Sequence, residues 1–77
     1  MKPTESEIKE LIGEIMGVET STIKNETDFK SDLAMDSIAI ADLISSVEED
    51  FDIAIGYEDA IKLVNFGLLM DYINQYE

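Results

Sequence analysis

"DLAMDSIAIADLISSVEEDF", residues 32–51, is the stretch whose reading decides the fold of this chain. Ile40, Leu43, Ile44, Val47 and Phe51 recur at helical spacing, which predicts an amphipathic helix over residues 37–50. On this reading Ile38 and Ala41 widen the apolar stripe. Asp36, a favourable helix-starting residue, stands immediately before it. Ser37 therefore falls in the first turn of a helix, in a chain with no histidine and no cysteine.

The same signals extend outward in both directions. Upstream, Ile8, Leu11, Ile12, Ile15 and Met16 form one stripe and predict a helix over residues 4–16. Thr4 with Glu7 fits a capping box, Pro3 lies just outside it, and Gly17 fits the left-handed residue that closes a helix. Residues 18–35 form a long connection with apolar anchors at Val18, Ile23, Phe29 and Leu33, the pattern of an ordered loop pinned to a core. Downstream, Ile53 and Ile55 alternate inward from an extended stretch, and "YEDAIKL" supplies one or two helical turns. A last helix over residues 66–76 starts at Asn65 and turns Leu69, Met70, Tyr72, Ile73 and Tyr76 inward. The sum is an all-α fold, a small four-helix bundle with a long first loop and a short third helix.

Composition narrows the function. At 77 residues and 45% apolar content, a single domain over residues 1–77 with one small core is expected. Without cysteine there is no disulfide and no thiol nucleophile; without histidine the usual general base and transition-metal ligand are missing. Eighteen acids face five lysines, for a net charge of -13, which opposes binding to nucleic acid or anionic membranes and favours basic partners. No apolar run reaches spanning length and no signal sequence is evident, so a cytoplasmic monomer without membrane insertion is expected.

Metal and phosphate motifs fail on inspection. "DFDIAIGYED" begins like a calcium loop, but its later ligand positions hold Ala54 and Gly56, and Ile55 stands where the glycine belongs. The glycines are scattered singly, so no phosphate-cradling loop exists, and no metal site or catalytic residue is assigned. As a nucleophile Ser37 would need a base, and only lysines remain. Two readings of Ser37 stay open: an ordinary cap residue beside Asp36, or a surface attachment point where a helix N-terminus favours a phosphodiester.

The ordered set Phe29, Asp32-Leu33, Asp36-Ser37-Ile38, Asp42-Leu43 and Glu48-Glu49-Asp50-Phe51 resembles the acyl carrier protein signature. The likeness continues through Ile55, Glu58, Ala60, Lys62-Leu63, Gly67 and Tyr72-Ile73 and so spans nearly the whole chain. It implies that Ser37 carries 4′-phosphopantetheine, donated from coenzyme A by a phosphopantetheinyl transferase, with Asp36 supporting recognition by that enzyme. Cargo would ride as a thioester on the arm, and the chain itself would catalyse nothing. The resemblance also implies that Asp42, Glu48, Glu49 and Ile38 meet basic patches on acyl-loading and biosynthetic enzymes. Fatty-acid synthesis leads, followed by polyketide or specialised lipid pathways. A D-alanyl or aminoacyl carrier is the next reading, and an unmodified acidic interaction module is the one outside the class. The chain departs from the family pattern at Ala34, where the family has a glycine, at Gly56-Tyr57, where the third helix usually opens with a stronger cap, and at Ser45 and Ser46.

Overall fold

A computed structural model describes residues 3–76 of the chain. Four α-helices follow in order: α1 Glu5–Met16, α2 Ser37–Phe51, α3 Tyr57–Ala60 and α4 Phe66–Gln75. No strand is present among the described residues, and the all-α architecture expected from the sequence is the one observed.

The helix ends follow from side-chain chemistry. Thr4 and Glu7 form the reciprocal capping box of α1, and Gly17 closes that helix at φ 68°. The Asp36 carboxylate accepts the Ala39 amide at 2.8 Å, and Asn65 accepts the Leu68 amide at 2.8 Å. Each oxygen satisfies a backbone donor that has no partner within its helix.

One core joins the elements. Ile8 and Ile12 of α1 meet Leu43, Ile44 and Val47 of α2 and Phe66, Leu69, Met70 and Ile73 of α4. The long loop contributes Ile23, Phe29 and Met35, and the α2–α3 connection contributes Ile53 and Ile55. Those two isoleucines point inward from extended backbone, as their alternation predicts.

The loop is ordered because its backbone is paired as well as its side chains. The Phe29 amide donates to Val64, the Phe66 amide to Thr27 at 3.1 Å, and the Gly67 amide to Asn25 at 2.8 Å. Asp28 and Asn65 complete the seam as an isolated antiparallel bridge. The start of α4 is thus sewn to the middle of the loop. Thr27, the hydroxyl residue of the sequon-like Asn25-Glu26-Thr27, is buried in this seam, where its Oγ1 accepts the Lys24 amide.

Two expectations are corrected. Ile38 does not widen the buried stripe of α2: it is 73% exposed. Nine residues at about 100° each set it half a turn from Val47, the centre of the buried face. Ala41 is exposed for a different reason, since it lies beside a cavity rather than a packed neighbour. Phe51, the last residue of α2, keeps its place in the stripe: it is half-buried and packs against the core.

Candidate functional site

The approach to Ser37 is set by two residues with opposite demands. Met35 is buried, and its amide donates to the Phe29 carbonyl at 2.8 Å. Asp36 and Ser37 face solvent. Between the loop and this anchor, Ala34 adopts φ 55°, the left-handed region. The turn lets the chain plunge at Met35 and emerge at Asp36.

Ser37 is the first residue of α2, and its side chain is exposed. The capping role belongs to Asp36, whose carboxylate is the one bonded to the third helical amide. The helix start therefore does not depend on the Ser37 hydroxyl. The first turn of α2 holds no acid, whereas that of α1 holds Glu5 and Glu7. A phosphodiester on Ser37 would meet the positive end of the helix, which it would share with the Asp36 carboxylate on the Ala39 amide and with no other acid of that turn. These features fit a phosphate-linked group on this hydroxyl.

Beside Ser37 opens a cavity of about 560 Å³. Ile40, Ala41, Ile44 and Ser45 of α2 form one wall, and Ile55, Tyr57, Ala60 and Ile61 form the other. Phe29, Leu63 and Val64 add to the apolar lining, while Asp28 and Lys30 bring polar groups to it. That volume lies within the usual range of small-molecule sites. Sequence reading missed the cavity. A signal existed in Ala41 and Ser45, two small residues four apart on one helical ridge, which leave room where larger side chains would pack.

Of the acidic residues singled out on α2, Asp42 and Glu49 are exposed. Seven residues at about 100° bring them to within 20° of one face. Glu48 is half-buried, and its Oε2 accepts the Ile55 amide at 3.1 Å. Its carboxylate is thus partly committed to the fold. Ile38 stands exposed one residue after Ser37.

Two groups depart from ordinary ionisation. Amide hydrogen bonds from Ser31 and, less strongly, Lys30 hold the Asp28 carboxyl below the usual carboxylate range, with burial opposing. Burial, then the nearby Asp59 carboxylate, pushes the Tyr72 phenol above its usual value. No cluster of three or more acids able to hold a metal exists among the described residues. No helix there is long and apolar enough to cross a membrane.

Comparison with known proteins agrees with this geometry. Residues 6–73 match the family described as "Phosphopantetheine attachment site". An acyl carrier protein of Buchnera aphidicola subsp. Schizaphis graminum is 42% identical over 74 residues, covering 96% of this chain and 94% of that protein. A solved acyl carrier protein from Enterococcus faecalis, studied for its high thermal stability, superposes with a TM-score of 0.76 at 26% identity. That match covers 97% of this chain and 100% of the other.

Proposed function

This chain belongs to the acyl carrier protein family, and we propose that Ser37 is the hydroxyl that takes its 4′-phosphopantetheine arm. One observation carries the assignment: Ser37 is exposed at the first turn of α2, on the lining of an apolar cavity, while Asp36 does the capping. An ordinary cap serine would have its hydroxyl on a helix amide. Here that bond is made by the neighbouring carboxylate, which leaves the hydroxyl available to a transferase.

When bound, the arm supplies the thiol that the sequence lacks. The chain's own residues supply the rest. The α2 N-terminus favours the phosphate, Asp36 fixes the first turn and offers a carboxylate to the transferase, and the cavity shelters apolar cargo. The lining of Ile40, Ile44, Ile55, Ile61 and Leu63 supports an acyl cargo over an aminoacyl one. Fatty-acid or related lipid synthesis is the pathway class in keeping with that lining. Asp42 and Glu49, with charge added by Glu48, form a docking strip for basic patches on the transferase and the biosynthetic enzymes. Ile38 offers an apolar contact next to the modified serine.

Intact-mass spectrometry tests the assignment. Incubated with coenzyme A and a phosphopantetheinyl transferase, the wild-type chain gains one phosphopantetheine. Ser37→Ala gains none and keeps its fold, because the change removes an exposed hydroxyl and costs at most about 0.5 kcal/mol. A modified Ser37→Ala chain would refute it.

A further inference from the structure

The wall of the cavity formed by the α2–α3 connection and α3 has little to hold it. α3 is four residues long, buries no side chain and has no side-chain cap. The connection before it is extended backbone without a helix or strand partner. Ile53 and Ile55 anchor one end and Leu63 the other, and between them the segment has no buried side chain.

Three side chains from outside the segment take up its polar groups. The Tyr72 hydroxyl donates toward the Ala54 carbonyl at 3.1 Å and toward the Asp59 carboxylate at 3.3 Å. A phenol has one proton, so the two acceptors share it. The Tyr76 hydroxyl accepts the Ala54 amide at 3.1 Å, and the Glu48 carboxylate accepts the Ile55 amide at 3.1 Å. Tyr72 stands on α4 and Tyr76 is the extended residue that follows it, with ring centroids 6.4 Å apart. Among the described residues no α4 side chain lines the cavity, and neither does Glu48. These groups hold the segment without lining the space it encloses.

We propose that Tyr72, Tyr76 and Glu48 form a latch on residues 54–59 and thereby set how far the cavity opens to cargo. The latch rests on the reading that the cavity takes the acyl chain. It makes these residues positioning residues, set off from the cavity lining. Releasing the segment lets Tyr57 and Ile61, which are exposed, move outward between the anchors at Ile55 and Leu63, away from Ile40 and Ile44. A tight latch favours short cargo, and a loose one admits longer cargo at the cost of a wall that no longer closes on short chains.

Amide hydrogen exchange on the unmodified chain tests the latch directly. Tyr72→Phe and Tyr76→Phe keep both rings and delete only the hydroxyls, and Ile8→Val weakens the core elsewhere as a control. In the double Phe variant, exchange at Ala54 to Ala60 is expected to quicken about tenfold, equivalent to about 1.4 kcal/mol. Exchange at the core amides of α1 and α2 stays at wild-type rates. The same variants are then loaded with acyl chains of increasing length on the arm and melted. The chain length that stabilises most should move upward in the double Phe variant and stay put in Ile8→Val. Wall exchange that is unchanged, or that rises only in step with the rest of the protein as in Ile8→Val, overturns the latch. A wild-type wall that gains no protection from any acyl chain overturns the cavity reading instead, and with it the role of the latch in cargo selection.

Discussion

Replacing Ala34 with glycine should stabilise this protein. Ala34 is exposed and sits at φ 55°, where an L side chain crowds the following carbonyl at a cost of about 1–2 kcal/mol. Glycine removes that cost but loosens the unfolded chain by about 0.4–1 kcal/mol. The difference favours Ala34→Gly by about 0.8 kcal/mol, and the exposed methyl gives up almost no burial. For a domain this small, 1 kcal/mol moves the melting temperature by about 4–8 °C, so the expected rise is about 3–6 °C. Thermal and urea unfolding followed by circular dichroism measure it, with an unchanged urea m-value showing that the unfolded state is comparable. Asp52 is the internal comparison: it also lies in the left-handed region, at φ 54°, but its short polar side chain tolerates that conformation. Asp52→Gly should therefore gain less than Ala34→Gly. A glycine variant at position 34 that melts at or below wild type would refute the strain argument.

At Gly67, a Cβ would stand 2.9 Å from the Asn25 carbonyl oxygen, which also accepts the Gly67 amide. Gly67→Ala should lose about 1–2 kcal/mol despite its better helix propensity, read by chemical unfolding, because the seam between loop and α4 must part. The lowered pKa of Asp28 makes its bonds to the Lys30 and Ser31 amides fully present above the ordinary carboxylate value of about 3.9 and lost as pH falls through the folded value. Those two amides should shift in an NMR acid titration, and Asp28→Asn should abolish the shift. Asp42→Lys and Glu49→Lys should slow phosphopantetheine transfer and flatten its salt dependence while circular dichroism stays native. The effect should fade as salt passes about 0.1 M, where the Debye length is about 10 Å. An unchanged second-order rate and salt slope in both reversals would leave α2 as a solvated face only.

Much of the fold was legible because helix ends are written locally. Thr4 with Glu7, Asp36, Asn65 and Gly17 each act within a few residues, and each does in the structure what its side chain predicts. Ile23 and Phe29 were readable as loop anchors because an isolated apolar residue in a polar stretch has few other places to go. No spacing in the sequence marks Met35, Leu63 and Phe66 as core, although all three are buried. They lie at junctions, where no period exists to place them. Phe66 is fixed by its amide on Thr27, a partner thirty-nine residues away in sequence. The same limit hid the tyrosines. Spacing puts Tyr72 and Tyr76 on the apolar face, and they are half-buried there. Their hydroxyls act on Ala54 and Asp59, contacts set by tertiary packing.

The site divides labour between adjacent residues, and the division has a physical reason. A cap residue must keep its side chain on the helix amides, and losing that bond typically costs about 1 kcal/mol. If the proposed attachment serine were itself the cap, adding an arm would weaken the start of α2, the helix that carries Asp42, Glu49 and one cavity wall. Placing the cap at Asp36 and the hydroxyl at Ser37 separates the two tasks by one residue. On the proposed assignment an arm would be added without cost to the helix, and Asp36 could be changed without removing the hydroxyl. Asp36→Ala should therefore lower stability by about 1 kcal/mol through the lost cap, whereas Ser37→Ala should not. The asymmetry between neighbours is what an attachment serine requires and what a capping serine would reverse.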